Sequence, residues 1–444
     1  MKKVITYGTY DLLHRGHVRL LERARELGDY LVVGVTADSF DRGRGKINVV
    51  QSLAERMEAV RATGLADEII VEEYEGQKID DIQRLGIDVF TVGSDWRGKF
   101  DYLSDYCEVV YLDRTEGVSS SEIRSERSSM DIGIIGTGQI AEKYARECKH
   151  VNGISPFLLD KKTLTMKEGT PVALGDELTM DAFLIASDPD CRANQVHSAL
   201  LEGKHVLCDS PIALSAKKCR ELFNMAESRG LILREAIKTA YSTAYHRLLL
   251  LVKSGKIGRV VSIQATCTSL ADRDALKNGS EGAWPSSTAW GPTALLPILQ
   301  ILGTDYKDAR LLRCDLSSSP GFDVYGKIDL VYPDAVGTAI FGKAVKSEGS
   351  LVISGTEGYI YVPAPWWKTD YFEIRREDAT ENERFYYQLD GEGIRYELMT
   401  FARAIAAGKD VHPYVEREVS IAIAMLLEQF QANTVCMYLN SISV

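Results

Sequence analysis

Two histidines three residues apart, His14 and His17, stand in GTYDLLHRGHVRL, where a short apolar stretch gives way to an amphipathic one. The first stretch reads as a strand and the second as a helix, so both imidazoles fall on the turn where a helix leaves a sheet edge. Open α/β sheets take ligands at that edge, and helix amides there face an anion. Both rings can donate hydrogen bonds to a phosphoryl group, and Gly16 lets it approach the backbone. An isolated pair with this spacing is more often a polar surface turn, so its weight comes from the rest of the chain. Arg44 and Lys46 lie in DRGRGK just beyond the second strand, and Arg114, Ser119, Ser120 and Ser121 follow the last strand of the same pattern. Basic side chains, hydroxyls and helix amides on one sheet edge are the parts of a nucleoside triphosphate pocket. Asp11 faces the same edge, where it can orient a histidine or a magnesium-bound water.

A second candidate begins at Gly136, Gly138, Gln139 and Ile140 in DIGIIGTGQIAEKYARE. The run reads as strand, glycine turn and helix, an arrangement that rests a pyrophosphate on the helix N-terminus. Asp160 closes the next strand, where a carboxylate would bond a ribose 2′-hydroxyl and favour NAD over NADP, although Lys161 and Lys162 beside it blur the choice.

The elements that must position these residues follow from periodicity. Up to residue 129 strands and helices alternate: KKVITYGTY, YLVVGVT, EIIVEE, DVFTVGSDW and CEVVYLDRT as strands, with helices in VRLLERARELG, in KIDDIQRLG and in SLAERMEAVRATG, the last opened by a capping box of Ser52 and Glu55. The polar run SERSS reads as a linker, and from Met130 the pattern restarts with ISPFLLD, DAFLIAS and HVLCDS as further strands. Beyond about Ala240, long β-type runs from VVSIQATCTSL to RFYYQL precede two helices, IRYELMTFARAIAAG and VEREVSIAIAMLLEQFQANTV. The expected fold class is α/β: a Rossmann-like domain at 1–129, a doubly wound Rossmann domain at 130–237, and an α+β domain with a large mixed sheet at 238–444.

Residues 1 to about 126 resemble the glycerol-3-phosphate cytidylyltransferases of the HxGH nucleotidyltransferase superfamily in GTYDLLHRGH, GDYLVVGVTAD, VGSDWRGKFDYL and RTEGVSSSEI. The resemblance implies transfer of a cytidylyl group from CTP, with Mg²⁺, to a small polyol phosphate, giving a CDP-polyol of the kind that donates phosphopolyol units to cell-surface polymers. It carries CTP binding onto Thr9, Tyr10, Asp11, His14, Arg15, Gly16, His17, Lys46, Arg114, Thr115, Glu116, Gly117, Ser119, Ser120 and Ser121. His14, His17, Lys46 and Arg114 would be the catalytic group, and Arg44, Lys78 and Trp96 would meet the acceptor. Arg44 stands where the family more often has lysine.

Residues 131 to 444 resemble the family of glucose-fructose oxidoreductases and inositol dehydrogenases in GIIGTGQIA, in SALLEGKHVLCDSPIAL with the run before it, and in KSGKIGRVVSIQA. That implies NAD(P) held by Gly136, Gly138, Gln139, Ile140, Asp160, His197 and Asp209, and a mixed sheet that often forms a dimer surface. This family keeps proton-handling groups where the present chain has Ser210, Pro297 and Ile301, so cofactor binding with little turnover is expected. Lys238 in EAIKTAY could replace the missing lysine but reads as a surface charge.

Composition bounds the alternatives. The 444 residues are 45% hydrophobic and 26% charged, with 36 Gly and 12 Pro, which is a folded chain of several domains. With 52 basic and 63 acidic residues the net charge of −11 disfavours nucleic acid or an anionic membrane as partner. The N-terminus carries no apolar leader, the eight cysteines form no CxxC pair or metal cluster, and a cytoplasmic homodimer with small-molecule substrates is the expectation.

Overall fold

The computed structural model describes residues 1–37, 49, 51–74, 76–113, 130–136, 138–151, 153–159, 166–167, 170–171, 180–270, 284–317, 319–387, 389–408, 413–432 and 435–439. The chain divides into two compact units, Met1–Ser129 with His150–Ile154, and Met130–Lys149 with Ser155–Val444.

In the first unit, strands β1 (Lys3–Gly8), β2 (Tyr30–Thr36), β3 (Glu68–Glu72), β4 (Val89–Gly93) and β5 (Glu108–Leu112) form a parallel sheet in the order β3-β2-β1-β4-β5. Helices α1 (Arg15–Arg25), α2 (Leu53–Ala62) and α3 (Gln77–Leu85) connect them. Adjacent residues along a strand face opposite sides, so Val4 and Leu31 enter one core with Leu21 of α1 and Val60 of α2, while Ile5 and Val32 enter another with Ile82 of α3. The strand order reverses between β1 and β4, and the crevice outside their C-terminal ends is where such a sheet receives a ligand. The capping box at Ser52 and Glu55 is present, and β4 gives way at Ser94 to a 3₁₀ turn where the sequence suggested more strand.

In the second unit, β6 (Met130–Ile135) follows the same logic with β7 (Ile154–Leu159), β10 (Ala182–Ile185), β11 (His205–Asp209) and β12 (Leu233–Ala236), ordered β12-β11-β10-β6-β7; β8 (Met166–Lys167) and β9 (Thr170–Pro171) form a separate small pair. Helices α4 (Gln139–Cys148), α5 (Pro189–Leu201) and α6 (Ala216–Ser228) accompany it. After α7 (Thr243–Lys253), a nine-stranded mixed sheet runs β20-β19-β18-β17-β13-β16-β15-β14-β21. Its members are β13 (Val260–Thr268), β14 (Asp308–Leu316), β15 (Ser319–Val331), β16 (Val336–Gly342), β17 (Leu351–Gly355), β18 (Gly358–Val362), β19 (Tyr371–Arg375), β20 (Glu383–Tyr386) and β21 (Val435–Leu439). Helices α8 (Ser286–Leu302), α9 (Ile394–Ala406) and α10 (Arg417–Ala432) complete the unit. Ile421 and Ala424 of α10 share a core with Leu222 of α6 and Val206 of β11, which ties the smaller sheet to the C-terminal part. Strands β14 and β21 escaped the sequence reading, β14 because Asp308, Arg310 and Arg313 break its apolar run and β21 because it follows α10 closely. Among the described residues no helix is long and apolar enough to cross a membrane.

Candidate functional site

Helix α1 begins at Arg15, three residues earlier than its apolar stripe suggested, because His14 caps it in extended backbone (φ −126, ψ 173). His14 Nδ1 accepts the Gly16 amide at 3.0 Å, and His17 Nδ1 accepts the His14 amide at a longer 3.5 Å. The pair thus forms a reciprocal cap of the kind usually made by Ser or Thr with Glu. A ring nitrogen that accepts carries no proton, so each imidazole holds its proton on Nε2. The rings stack with centroids 4.0 Å apart, and Tyr10 meets His17 edge-on at 5.5 Å. Two Nε2–H donors are therefore carried as one block at the positive end of α1, whose first turn holds no acidic residue.

The loop that carries them is held in a costly shape. Tyr10 (φ 53) and Leu12 (φ 48) occupy the left-handed region, worth about 1–3 kcal/mol each. Fully buried Asp11 accepts the Gln51 amide at 3.0 Å, and Gln51 Oε1 accepts the Leu12 amide at 2.7 Å. Asp11 thus pins this loop to the segment entering α2, a structural task the sequence did not reveal. Arg56, fully buried, donates to the carbonyls of Thr9 at 2.7 Å, Thr36 at 2.9 Å and Gln51 at 3.2 Å, joining the ends of β1 and β2. Sequence reasoning passed over Arg56 as one helix charge among several. The available clue was its place four residues before Val60, on the buried stripe of α2. Arg15 and Gly16 occupy the first turn of α1, and Thr9 is buried beneath the loop.

Lys78 and Trp96 reach the same edge differently. Lys78 is 7% exposed, pairs with buried Glu72 at the end of β3, and lies 4.6 Å from the Tyr7 ring centroid and 5.5 Å from that of Phe100. Glu72 also accepts the Thr36 hydroxyl at 2.9 Å. Lys78, expected to hold the acceptor phosphate, is an ion-paired group beneath the surface. Trp96 is half-buried in the 3₁₀ turn after β4, with its ring 5.8 Å from Phe100. Arg44, Lys46, Arg114, Thr115, Glu116, Gly117, Ser119, Ser120 and Ser121 lie outside the described residues, as does Asp160. Arg23 of α1 donates to the carbonyl of Asp113, the residue after β5, at 2.7 Å.

In the second unit, the glycine turn sits where the strand order reverses, between β6 and β10. Gly136 has φ 147, and a Cβ there would lie 2.6 Å from the Ala186 carbonyl oxygen, so only glycine fits. A Cβ at Gly138, the N-cap of α4, would meet nothing within 4 Å. The turn is therefore closed on its sheet side and open outward, a cradle that fits the pyrophosphate of a dinucleotide. Gln139 and Ile140 are exposed on the first turn of α4. Asp209, at the end of β11, pairs at 2.6 Å with Arg192, which is fully buried and also holds the carbonyls of Ser187 and Ser210. Ser210 donates to Glu235 at 2.5 Å, and Tyr144 of α4 donates to Glu397 of α9 at 2.8 Å. Burial raises Asp209 and Glu235, and it lifts Glu397 to about 8, with the charge of Asp209 adding to the effect and the Tyr144 hydrogen bond opposing it. His197 is the remaining residue expected at the cofactor. It stands on the third turn of α5, about 13 Å of helix beyond Asp188. Burial lowers its pKa, with Lys218 and Arg229 adding to the effect. The charge of Glu221, also on α6, opposes that effect. Pro297 is buried within α8 and Ile301 lies on the last turn.

Comparison with known proteins divides the chain in the same way. Residues 5–126 match the family model described as cytidylyltransferase-like, and residues 170–236 match that of the oxidoreductase family with an NAD-binding Rossmann fold. A glycerol-3-phosphate cytidylyltransferase of Bacillus spizizenii is 49% identical over 130 residues, 29% of this chain and 100% of that protein. Its counterpart in Bacillus subtilis is 52% identical over 126 residues, 28% of this chain and 97% of that protein. Among solved structures, the 3-ketoreductase KijD10 of Actinomadura kijaniata in complex with NADP and TDP-benzene superposes with TM-score 0.59 at 19% identity, over 70% of this chain and 100% of that one. A UDP-N-acetylglucosamine 3-dehydrogenase of Acidithiobacillus ferrooxidans gives TM-score 0.57 at 15% identity, over 69% and 98%. At these identities the likeness is one of fold.

Proposed function

This chain belongs to the cytidylyltransferase-like family through residues 5–126, and from that membership we propose that it transfers CMP from CTP to a small polyol phosphate, glycerol 3-phosphate or a near relative, releasing pyrophosphate. The observation that carries this reading is the stacked His14–His17 pair, whose Nδ1 atoms accept backbone amides and so fix both rings at the N-terminus of α1. The acceptor's phosphate oxygen attacks the α-phosphorus, the bond from that phosphorus to the bridging oxygen breaks, and pyrophosphate leaves with the electron pair. A phosphate dianion needs no general base near neutral pH, so the protein's contribution is placement and charge. His14 and His17 donate to the α-phosphoryl oxygens as their charge grows. Lys46 and Arg114 are assigned to the departing pyrophosphate, Thr9, Tyr10, Asp11, Arg15, Gly16 and 115–121 to CTP or its loops, and Arg44, Lys78 and Trp96 to the acceptor. Mg²⁺ enters with CTP as part of the substrate.

The second unit is read as two parts, 130–237 for NAD(P) and 238–444 for a dimer-forming sheet, whose exposed Leu312, Val336 and Met437 support a homodimer. When bound, the nicotinamide would supply a hydride. Gly136, Gly138 and the start of α4 would hold its pyrophosphate, with Asp160 assigned to the ribose. At the positions where the resembled family handles protons, Ser210 is tied to Glu235, and Pro297 and Ile301 carry no transferable proton. The unit therefore binds dinucleotide with little turnover. A bifunctional reductase that makes its own polyol phosphate is the second reading, which the match of residues 170–236 to the oxidoreductase family with an NAD-binding Rossmann fold supports. The full chain is expected to work in the cytoplasm. Pyrophosphate release with CTP and a panel of polyol phosphates tests the first reading: release with none of them overturns it. NADH consumption with phosphorylated and free ketones tests the second, and turnover with any of them would establish the reductase.

A further inference from the structure

Three lysines from three separate elements of the second unit converge on one carboxylate. Lys238 Nζ lies 2.8 Å from Glu392 Oε2, Lys368 Nζ 2.7 Å from Oε1, and Lys143 Nζ of α4 3.6 Å from Oε2. Among the described residues no other carboxylate pairs with any of the three, because the neighbouring Glu147 and Asp390 are both engaged by Arg395, at 3.2 and 3.7 Å. Glu392 thus pairs with all three lysines, while Asp209 and Glu397, which also act on Lys238 through space, are respectively paired with Arg192 and raised to about 8 by burial.

The loop that delivers Glu392 is built for this place. Gly391, Glu392 and Gly393 all have positive φ (56, 57 and 93), a left-handed run that is strained for Glu392. A Cβ at Gly393 would lie 2.8 Å from the Lys238 carbonyl oxygen, so the loop packs directly on the segment that bears the lysine. The site is neither a core ion pair nor a solvated face, since the Lys238 side chain is 28% exposed and those of Lys368 and Glu392 36% each. Lys238 was expected to be a surface charge, and its ammonium is instead largely enclosed.

We infer that this cluster binds a phosphate monoester, whose dianion matches the two positive charges that Glu392 leaves uncompensated and whose oxygens can each accept from an ammonium group. Burial lowers the pKa of Lys238, the hydrogen bond and charge of Glu392 oppose that effect, and the like charges of Lys368 and Lys143 add to it. Glu392 holds the ammonium groups together until the ligand arrives. The inference stands independently of cytidylyl transfer, because every residue in it belongs to the second unit.

Pyridoxal 5′-phosphate is a probe suited to this geometry: its phosphate seeks the cation cluster and its aldehyde condenses with a nearby unprotonated lysine, losing water to give an imine that borohydride fixes. The full-length protein is treated with it, or with pyridoxal lacking the phosphate, and the labelled lysines are mapped by peptide mass spectrometry. Labelling within Lys143, Lys238 and Lys368 is expected to be at least ten-fold greater with the phosphorylated probe and to be suppressed by inorganic phosphate. Lys368→Ala, a change at a partly exposed position, should reduce labelling of Lys238 several-fold, and Glu392→Gln should lower the phosphate concentration needed for protection. Equal labelling by both probes, or no protection by phosphate, overturns the inference. Protection by NADH but not by phosphate also overturns it, by assigning the cluster to the dinucleotide. Mapping by peptide separates these results from any reaction at the first unit, whose own assay stands or falls apart.

Discussion

At the residue scale, the N-terminal site depends on what each side chain does with its second polar atom. His17 accepts the His14 amide at Nδ1 and is assigned as a donor to the α-phosphoryl group, so His17→Ala removes that donor and half of a helix cap together. Turnover of CTP is expected to fall about 10²- to 10³-fold, while loss of the cap costs about 1 kcal/mol and leaves the unit folded. A folded variant with near-native turnover in the pyrophosphate assay would contradict the role given to this residue. Lys78 is a different case. Its partner Glu72 is buried, so Lys78→Ala strands a carboxylate and should cost about 3–5 kcal/mol, seen as a lowered melting temperature. Pairing Lys78→Met with Glu72→Gln removes both charges and should restore most of that stability. The assignment to the acceptor then predicts a KM for polyol phosphate raised several-fold with the KM for CTP little changed, and two unchanged KM values would leave Lys78 a structural residue.

At the scale of elements, turns and packed helices decide which residues can serve. Gly136→Ala forces a Cβ to 2.6 Å from the Ala186 carbonyl at a backbone angle that L residues avoid, so the turn between β6 and α4 must shift. A cost of about 1–3 kcal/mol and loss of measurable NADH fluorescence enhancement are expected. Retained binding would show that the dinucleotide does not rest on this turn. Packing of α4 against α9 has its own signature in pH. Glu397 holds a proton to about pH 8 in the folded protein, against an ordinary value of 4.5. Between those values the native state binds a proton that the unfolded chain has released, so stability falls as pH rises through that window and levels off above it. One proton sets the limit at about 1.4 kcal/mol per pH unit. Glu397→Gln should flatten this slope, so that its melting temperature gains on the native protein's from pH 5 to pH 8. Parallel curves would mean that Glu397 is not protonated in the fold.

At the scale of the whole molecule, the N-terminal unit corresponds in length to complete proteins, since the chain spans 100% of one relative and 97% of another. A fragment of residues 1–129 is therefore expected to fold alone and to keep cytidylyl transfer within a few-fold of the full chain. A fragment that is unfolded, or folded and inactive, would show that the second unit completes the first. The second unit offers no such cut, because Ile421 and Ala424 of α10 sit in the core beneath β11 and α6.

The order of strands and helices in the first unit, the glycine turn at Gly136 and the histidine pair were legible because each is a local matter: periodicity of two or 3.6, a φ that only glycine adopts easily, a cap closed within four residues. The family resemblance implies, again from local sequence, that Ser210, Pro297 and Ile301 stand where a related chain would handle protons. What the sequence could not determine depends on groups far apart in the chain. Whether Arg56 points to solvent or joins Thr9 to Thr36 rests on two strand ends meeting beside α2. Whether Lys78 meets a ligand or Glu72 rests on the end of β3, and whether Lys238 is a surface charge or part of a cluster rests on a loop 154 residues away. Burial and charge compensation are properties of the assembled surroundings, so identical lysines in similar local sequence acquire different tasks only when the tertiary structure brings their partners to them.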